Sequence, residues 1–184
     1  PGTGAAIARR FAREGYAVAM LARNSERLTQ LKGETPGTHA YPCDVTDEVQ
    51  LDATLAAIHT EHGSPKVLIH NAVGGAFGSF MDIDPQVLNR NFQVNTMALL
   101  YLARRLAPAM IEAGEGAIII TGNTSAFRGK ANFAGFAVGK FGLRALAQSM
   151  ARELGPKGIH VAHVIVDGMI EAEHRAGRKR SENA

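Results

Sequence analysis

Short apolar runs alternate with longer amphipathic stretches along almost the whole chain, and this alternation limits the possible folds more than any single residue does. Strands that each hand over to a helix return in the same direction, so the pattern predicts a parallel sheet covered by helices on both faces, an α/β fold. A first helix is expected near Gly4 to Glu14, with Gly15 as its C-cap and Tyr16 to Leu21 as the strand that follows. Ser25 is expected to N-cap a helix reaching Leu31, His39 to Pro42 to form a short strand, and Asp47 to cap a helix to about Glu61. Lys66 to His70 reads as the next strand. A loop with Gly74, Gly75 and Gly78 then leads to one long helix from about Pro85 to Ala113. The strand Ala117 to Thr121, a helix from Phe133 to Leu154 and a last strand from Ile159 to Val166 complete the pattern, and Asp167-Gly168 opens a loop.

The length of 184 residues, with 46% hydrophobic and 20% charged content, suggests a single domain over 1–184 with one substantial core. No apolar run approaches the ~20 residues of a membrane-spanning helix, and no basic start with an apolar core marks a signal peptide. A cytoplasmic location without membrane attachment is the default expectation. Cys43 is the only cysteine, which excludes an internal disulfide and any zinc site of several thiolates. The net charge of +3 is mild, and its basic residues gather at Arg9, Arg10 and Arg13 and between Arg175 and Arg180. With 6% aromatics and no tryptophan interleaved among them, no nucleic-acid partner is expected. The stretch 171–184 is expected to be solvated or partly mobile. His59 and His62 are helix neighbours without an obvious third ligand, and His160 and His163 point to opposite faces of one strand, so no metal site is expected.

Chemistry is suggested by a few positions. Phe136 and Lys140 sit four apart on a helix whose apolar stripe continues through Leu143, Ala147, Met150, Ala151 and Leu154. A lysine on a buried face needs a partner or a ligand, because stranding its charge costs several kcal/mol or shifts its pKa. Gly2-Thr3-Gly4 precedes a helix with Ala5, Ala8 and Ala12 on one face, small residues that let backbone amides approach a pyrophosphate. About twenty residues on, where dinucleotide-binding folds read the adenosine ribose, there is no acid at the strand end; Arg23 offers a fork suited to a 2′-phosphate. Asn95 occupies an otherwise apolar stripe of the long helix, between Phe92 and Leu99, and a buried amide there must be hydrogen-bonded.

The run around Phe136 and Lys140 resembles the Tyr-x-x-x-Lys helix of the short-chain dehydrogenase/reductase family, with phenylalanine in place of the tyrosine. Gly2-Thr3-Gly4 resembles the second half of that family's glycine-rich turn. His70-Asn71-Ala72-Val73-Gly74 resembles its Asn-Asn-Ala-Gly motif, with His70 for the first asparagine. The resemblance covers nearly the whole chain and implies a Rossmann-type doubly wound parallel sheet in three α/β/α layers. It also implies a piece of a longer reading frame: the family's first strand would lie between the strands at Tyr16 to Leu21 and Lys66 to His70, and another helix and strand would follow residue 184. A chain of these residues alone is expected to fold poorly.

The same resemblance assigns cofactor contacts to Gly2, Thr3, Gly4, Arg23, Asp44, Val45, Asn71, Ala72, Val73, Lys140, Gly168 and Ile170, with NADP preferred over NAD because of Arg23. Asp44 would meet the adenine amino group; an aspartate after a strand is also an ordinary turn residue. Asn95 would bend its helix and hold the water leading to Lys140. Thirteen residues before Phe136, where the family has a serine, stands Asn123; Ser125 would serve only if the loop were two residues shorter. Around the nicotinamide, Asp167-Gly168-Met169-Ile170 replaces the family's Pro-Gly.

Phenylalanine cannot deliver a proton, and general acid assistance is typically worth about 10²–10⁴-fold. Tyr16, Tyr41 and Tyr101 are not placed to replace it. Lys140, directly or through water held by Asn95, remains as a source, as does reduction of an activated double bond. The expected activity is hydride transfer between nicotinamide and a small molecule bearing a carbonyl, an alcohol or an activated double bond. The alternative is a catalytically silent nucleotide-binding or oligomerisation domain. The long helices from Pro85 and Phe133 are the pair through which family members associate, so a homodimer or homotetramer of the full-length protein is expected.

Overall fold

The computed structural model describes residues 2–168 and Ile170; Pro1, Met169 and the tail 171–184, including the stretch expected to be solvated, lie outside the described residues. The chain divides into two compact units, one holding residues 2–42 with Gly168 and Ile170, the other running Cys43–Asp167.

In the first unit, α1 (Thr3–Arg13), β1 (Val18–Ala22), α2 (Ser25–Glu34) and β2 (Thr38–Pro42) follow the expected alternation. The strands are parallel, in register from Val18 opposite Thr38 to Ala22 opposite Pro42. Ala8, Met20 and Leu28 form the core, flanked by Val18, Leu31 and Ala40. Full burial of side chains the size of Met20 and Leu28 contributes about 1.5–3 kcal/mol each. Gly15, at φ +88, takes the left-handed position just beyond α1 that a Cβ would oppose. The cap of α2 is Asn24 rather than the expected Ser25: its Oδ1 accepts from the Arg27 amide at 2.8 Å. The helix also runs to Glu34, past the expected Leu31.

In the second unit, Asp47 caps α3 (Glu48–His62) as expected, accepting from the Val49 and Gln50 amides. The strands β3 (Val67–His70), β4 (Gly116–Asn123) and β5 (Ile159–Val166) form a parallel sheet in that order. Ile118 and Ile120 of the central strand are fully buried, and so are Leu99 of α5 (Ala98–Ala113) and Leu143 of α6 (Ala134–Leu154). Left-handed Gly114, at φ +66, ends α5. Among the described residues β1 pairs only with β2 and β3 only with β4, so each keeps one unpaired backbone edge.

The expected single helix from Pro85 to Ala113 is interrupted. α4 (Pro85–Phe92) passes into a turn of π-helix, Gln93–Met97, before α5 resumes. The extra residue in a π-turn breaks the regular backbone ladder and frees a carbonyl for another partner. It also changes the face presented inward: Asn91 is buried, whereas Phe92, read as part of the apolar stripe, is only partly so.

Candidate active site

The carboxyl ends of β3 and β4 and the first turns of α6 bring the chemistry-bearing residues of the second unit together, where ligands of parallel α/β sheets bind. Asn95 is fully buried in the π-turn. Its Nδ2 lies 3.0 Å from the Gly74 carbonyl and 2.8 Å from both the Asn91 carbonyl and Asn91 Oδ1, while its own Oδ1 has no donor among the described residues. His70 ends β3, and its Nε2 lies 3.1 Å from the Asn95 backbone oxygen. Because that carbonyl can only accept, His70 donates from Nε2. Burial holds His70 at a pKa of about 4, against the opposing pull of this bond and with help from the Lys140 charge, so the imidazole is neutral.

Two further bonds fasten this segment to α6. Asn91 Nδ2 donates to the Gly135 carbonyl at 2.6 Å, and Thr96 Oγ1 donates to the Gly139 carbonyl at 2.9 Å. Glycine permits the approach: a Cβ on Gly135 would stand 2.8 Å from Ala76 Cβ, and one on Gly139 would stand 3.1 Å from Asn95 Cβ.

α6 presents Phe136 and Lys140 on one buried face, as the spacing predicts. Lys140 is 3% exposed, and its Nζ lies 5.5 Å from the centroid of the Phe136 ring. Among the described residues it has neither an ion pair nor a hydrogen bond. Burial brings its pKa down to about 8. Burial, and after it the charges of Lys140 and Arg144, lower the pKa of His163 on β5, and its buried Nε2 has no partner among the described residues. The ring lies in the notch left by Gly122, where a Cβ would stand 2.0 Å from Nε2.

Asn123 ends β4 and takes up the Ser125 amide on its Oδ1 at 3.1 Å, which leaves its amide N–H groups to donate elsewhere. Asp44 is held in a turn: its Oδ1 accepts from the Thr46 amide at 3.0 Å and the Thr46 hydroxyl at 2.7 Å. Asn71 and Ala72 are partly buried after β3, and Val73 is exposed. The remaining expected contacts, Gly2, Thr3, Gly4, Arg23, Gly168 and Ile170, belong to the first unit. Gly2, at φ +96, precedes α1 with no side chain capping the first amides, so these remain available to an anion. Arg23 is exposed and has no ion pair among the described residues; Glu26 is not its partner. Gly168 and Ile170 are exposed, and Met169 between them lies outside the described residues.

Sequence reading missed Asn91, Thr96 and the place of His163. Asn91 had a signal, since it stands one helical turn before Asn95. The position of His163 depends on Gly122 in the adjoining strand and leaves no local mark.

The chain belongs to the short chain dehydrogenase family, whose model matches residues 1–183. Over 175 residues it is 30% identical to human dehydrogenase/reductase SDR family member 4, an alignment covering 92% of this chain and 63% of that relative. A short-chain dehydrogenase from Rhodopseudomonas palustris aligns with 38% identity and a TM-score of 0.83, over 89% of this chain and 80% of that one. A metagenomic short-chain oxidoreductase in complex with NADP aligns with 26% identity and a TM-score of 0.85, over 93% and 94%. The fold is the Rossmann-type α/β fold of this family. The chain spans 63% of the length of its human relative.

Proposed function

We propose that this protein is an NADP-preferring short-chain oxidoreductase that moves hydride between nicotinamide and a carbonyl, an alcohol or an activated double bond. The observation that carries the reading is Lys140, a buried amine beside the Asn95 turn with no hydrogen bond or ion pair among the described residues, a donor suited to a ribose hydroxyl. The uncapped first turn of α1 suits a pyrophosphate, and unpaired Arg23 suits a 2′-phosphate. Asp44, Val45, Asn71, Ala72, Val73, Gly168 and Ile170 are assigned to the cofactor by family resemblance. The metagenomic relative solved with NADP agrees with this cofactor. When bound, the nicotinamide supplies or accepts the hydride.

In this reading Asn123 donates to the substrate oxygen through its free amide hydrogens. Lys140 and water held at Asn95 Oδ1 handle the proton that Phe136 cannot. Exposed Val138 and Phe141 on α6, with Ile111 on α5, support association of copies through these helices. One observation favours a second reading, a silent nucleotide-binding or oligomerisation domain: Phe136 fills the proton donor's place with a ring that has no transferable proton. Titration with NADPH and NADH, followed by single-turnover oxidation with ketones and enones, separates them. Tight NADPH binding with turnover is the expected result. Binding without turnover favours the silent domain, and absence of binding overturns both.

A further inference from the structure

Phe136 does more than vacate a position for a hydroxyl. Its ring lies 5.2 Å from that of Phe77, which lies 5.2 Å from that of Phe133 in an edge contact. Lys140 Nζ stands 5.5 Å from the Phe136 centroid at the inner end of this row, and Phe77 at its outer side is 63% exposed. A buried primary amine thus lies at the end of an aromatic row that opens to solvent. Among the described residues no carboxylate pairs with it, and the titratable groups that feel its charge are His70 and His163, the latter also acted on by Arg144. His70 is neutral at pH 7, so the polar surroundings do little to stabilise an ammonium. An amine of this kind holds its lone pair free at neutral pH more often than an exposed lysine does, which is what carbonyl addition requires. The pKa of about 8 agrees.

We propose that Lys140 captures carbonyl compounds covalently, its Nζ condensing with an aromatic aldehyde or ketone whose ring packs on Phe136 and Phe77. The nitrogen lone pair forms a C–N bond to the carbonyl carbon while the C=O π pair moves to oxygen. That oxygen takes up the proton released by nitrogen, giving a neutral carbinolamine. Loss of the hydroxyl with the remaining N–H proton, as water, leaves the C=N bond of an imine. The sum is amine plus carbonyl giving imine plus water, with no oxidant or reductant consumed. The reaction needs no nicotinamide and stands independently of the oxidoreductase reading.

The test uses the cofactor-free protein with 2-naphthaldehyde and, separately, acetaldehyde, each with cyanoborohydride to fix the imine as a secondary amine, followed by peptide mapping. Lys140 is expected to be alkylated by naphthaldehyde at least about tenfold faster than exposed Lys130 and Lys157. Acetaldehyde is expected to show a smaller preference for Lys140, and Phe77→Ala to bring naphthaldehyde down to that smaller preference. Because Phe77 is largely exposed, that variant is expected to keep the fold, as circular dichroism would verify. Labelling of Lys140 no faster than Lys130 overturns the proposal. Equal preference with both aldehydes overturns the role of the aromatic row. NADPH titration of the same sample reports on the oxidoreductase reading separately, so either can fail alone.

Discussion

The imidazole of His70 donates from Nε2 to the backbone carbonyl of Asn95 at 3.1 Å, joining the end of β3 to the π-turn that carries the site's central amide. Burial lowers the folded-state pKa of His70 to about 4, from an ordinary value of 6.5. Between those two values the unfolded chain binds a proton that the folded chain does not, so unfolding free energy rises with pH across this window. Stability from this group is complete above pH 6.5 and is lost as pH falls towards 4. The shift corresponds to roughly 3 kcal/mol. Urea unfolding at pH 4.5 and 7 is expected to show this loss in the wild type and a much flatter dependence in His70→Asn. An equal slope in both would place the titration elsewhere.

Phe136→Tyr places a phenolic hydroxyl on the ring beside Lys140. If the surrounding residues are otherwise competent, single-turnover reduction of a ketone by NADPH should rise by about 10² or more, the lower range of general acid assistance. NADPH affinity should change little, because the substitution adds a proton donor and leaves Lys140 in place. Unchanged turnover with intact cofactor binding would favour the silent domain.

Two glycines should respond in opposite directions to alanine. Gly33 lies within α2 without a left-handed φ, and a Cβ added there would meet no atom within 4 Å, so Gly33→Ala should stabilise by about 0.5–1 kcal/mol through reduced freedom of the unfolded chain. Gly122→Ala would place its Cβ 2.0 Å from His163 Nε2, and displacing that ring should cost about 1–3 kcal/mol. Chemical denaturation midpoints of the two variants check both signs. A neutral Gly122→Ala would mean that the imidazole moves freely.

Alternation of strands and helices, and the shared buried face of Phe136 and Lys140, were legible because both rest on spacing within a single element. Asn95 was legible as a polar break in an apolar stripe. A uniform helical period assigns Phe92 to the same stripe, yet the π-turn brings Asn91 inward, and nothing in a 3.6-residue pattern announces an inserted residue. Asn24 and Ser25 are both good capping types, so residue preference could not choose between adjacent candidates. The unpartnered Nε2 of His163 and the aromatic row from Phe136 through Phe77 to Phe133 depend on contacts between separate elements.

Asn91 links three structural segments. Its Nδ2 donates to the Gly135 carbonyl of α6, and its Oδ1 accepts from Asn95 Nδ2, which also reaches the Gly74 carbonyl after β3. Asn91→Leu keeps similar bulk but leaves the buried Gly135 carbonyl without that donor and Asn95 with one acceptor fewer, so a loss of about 2–4 kcal/mol is expected. Asn95→Ala removes the other side of the pair and leaves Asn91 Oδ1 unsatisfied. If the two amides act as one network, the double variant should be less destabilised than the sum of the singles, with a coupling of about 1 kcal/mol or more. A four-member denaturation cycle measures it. Additive losses would show that each asparagine serves its own backbone partners, and that the π-turn is held chiefly by His70 and Thr96 instead.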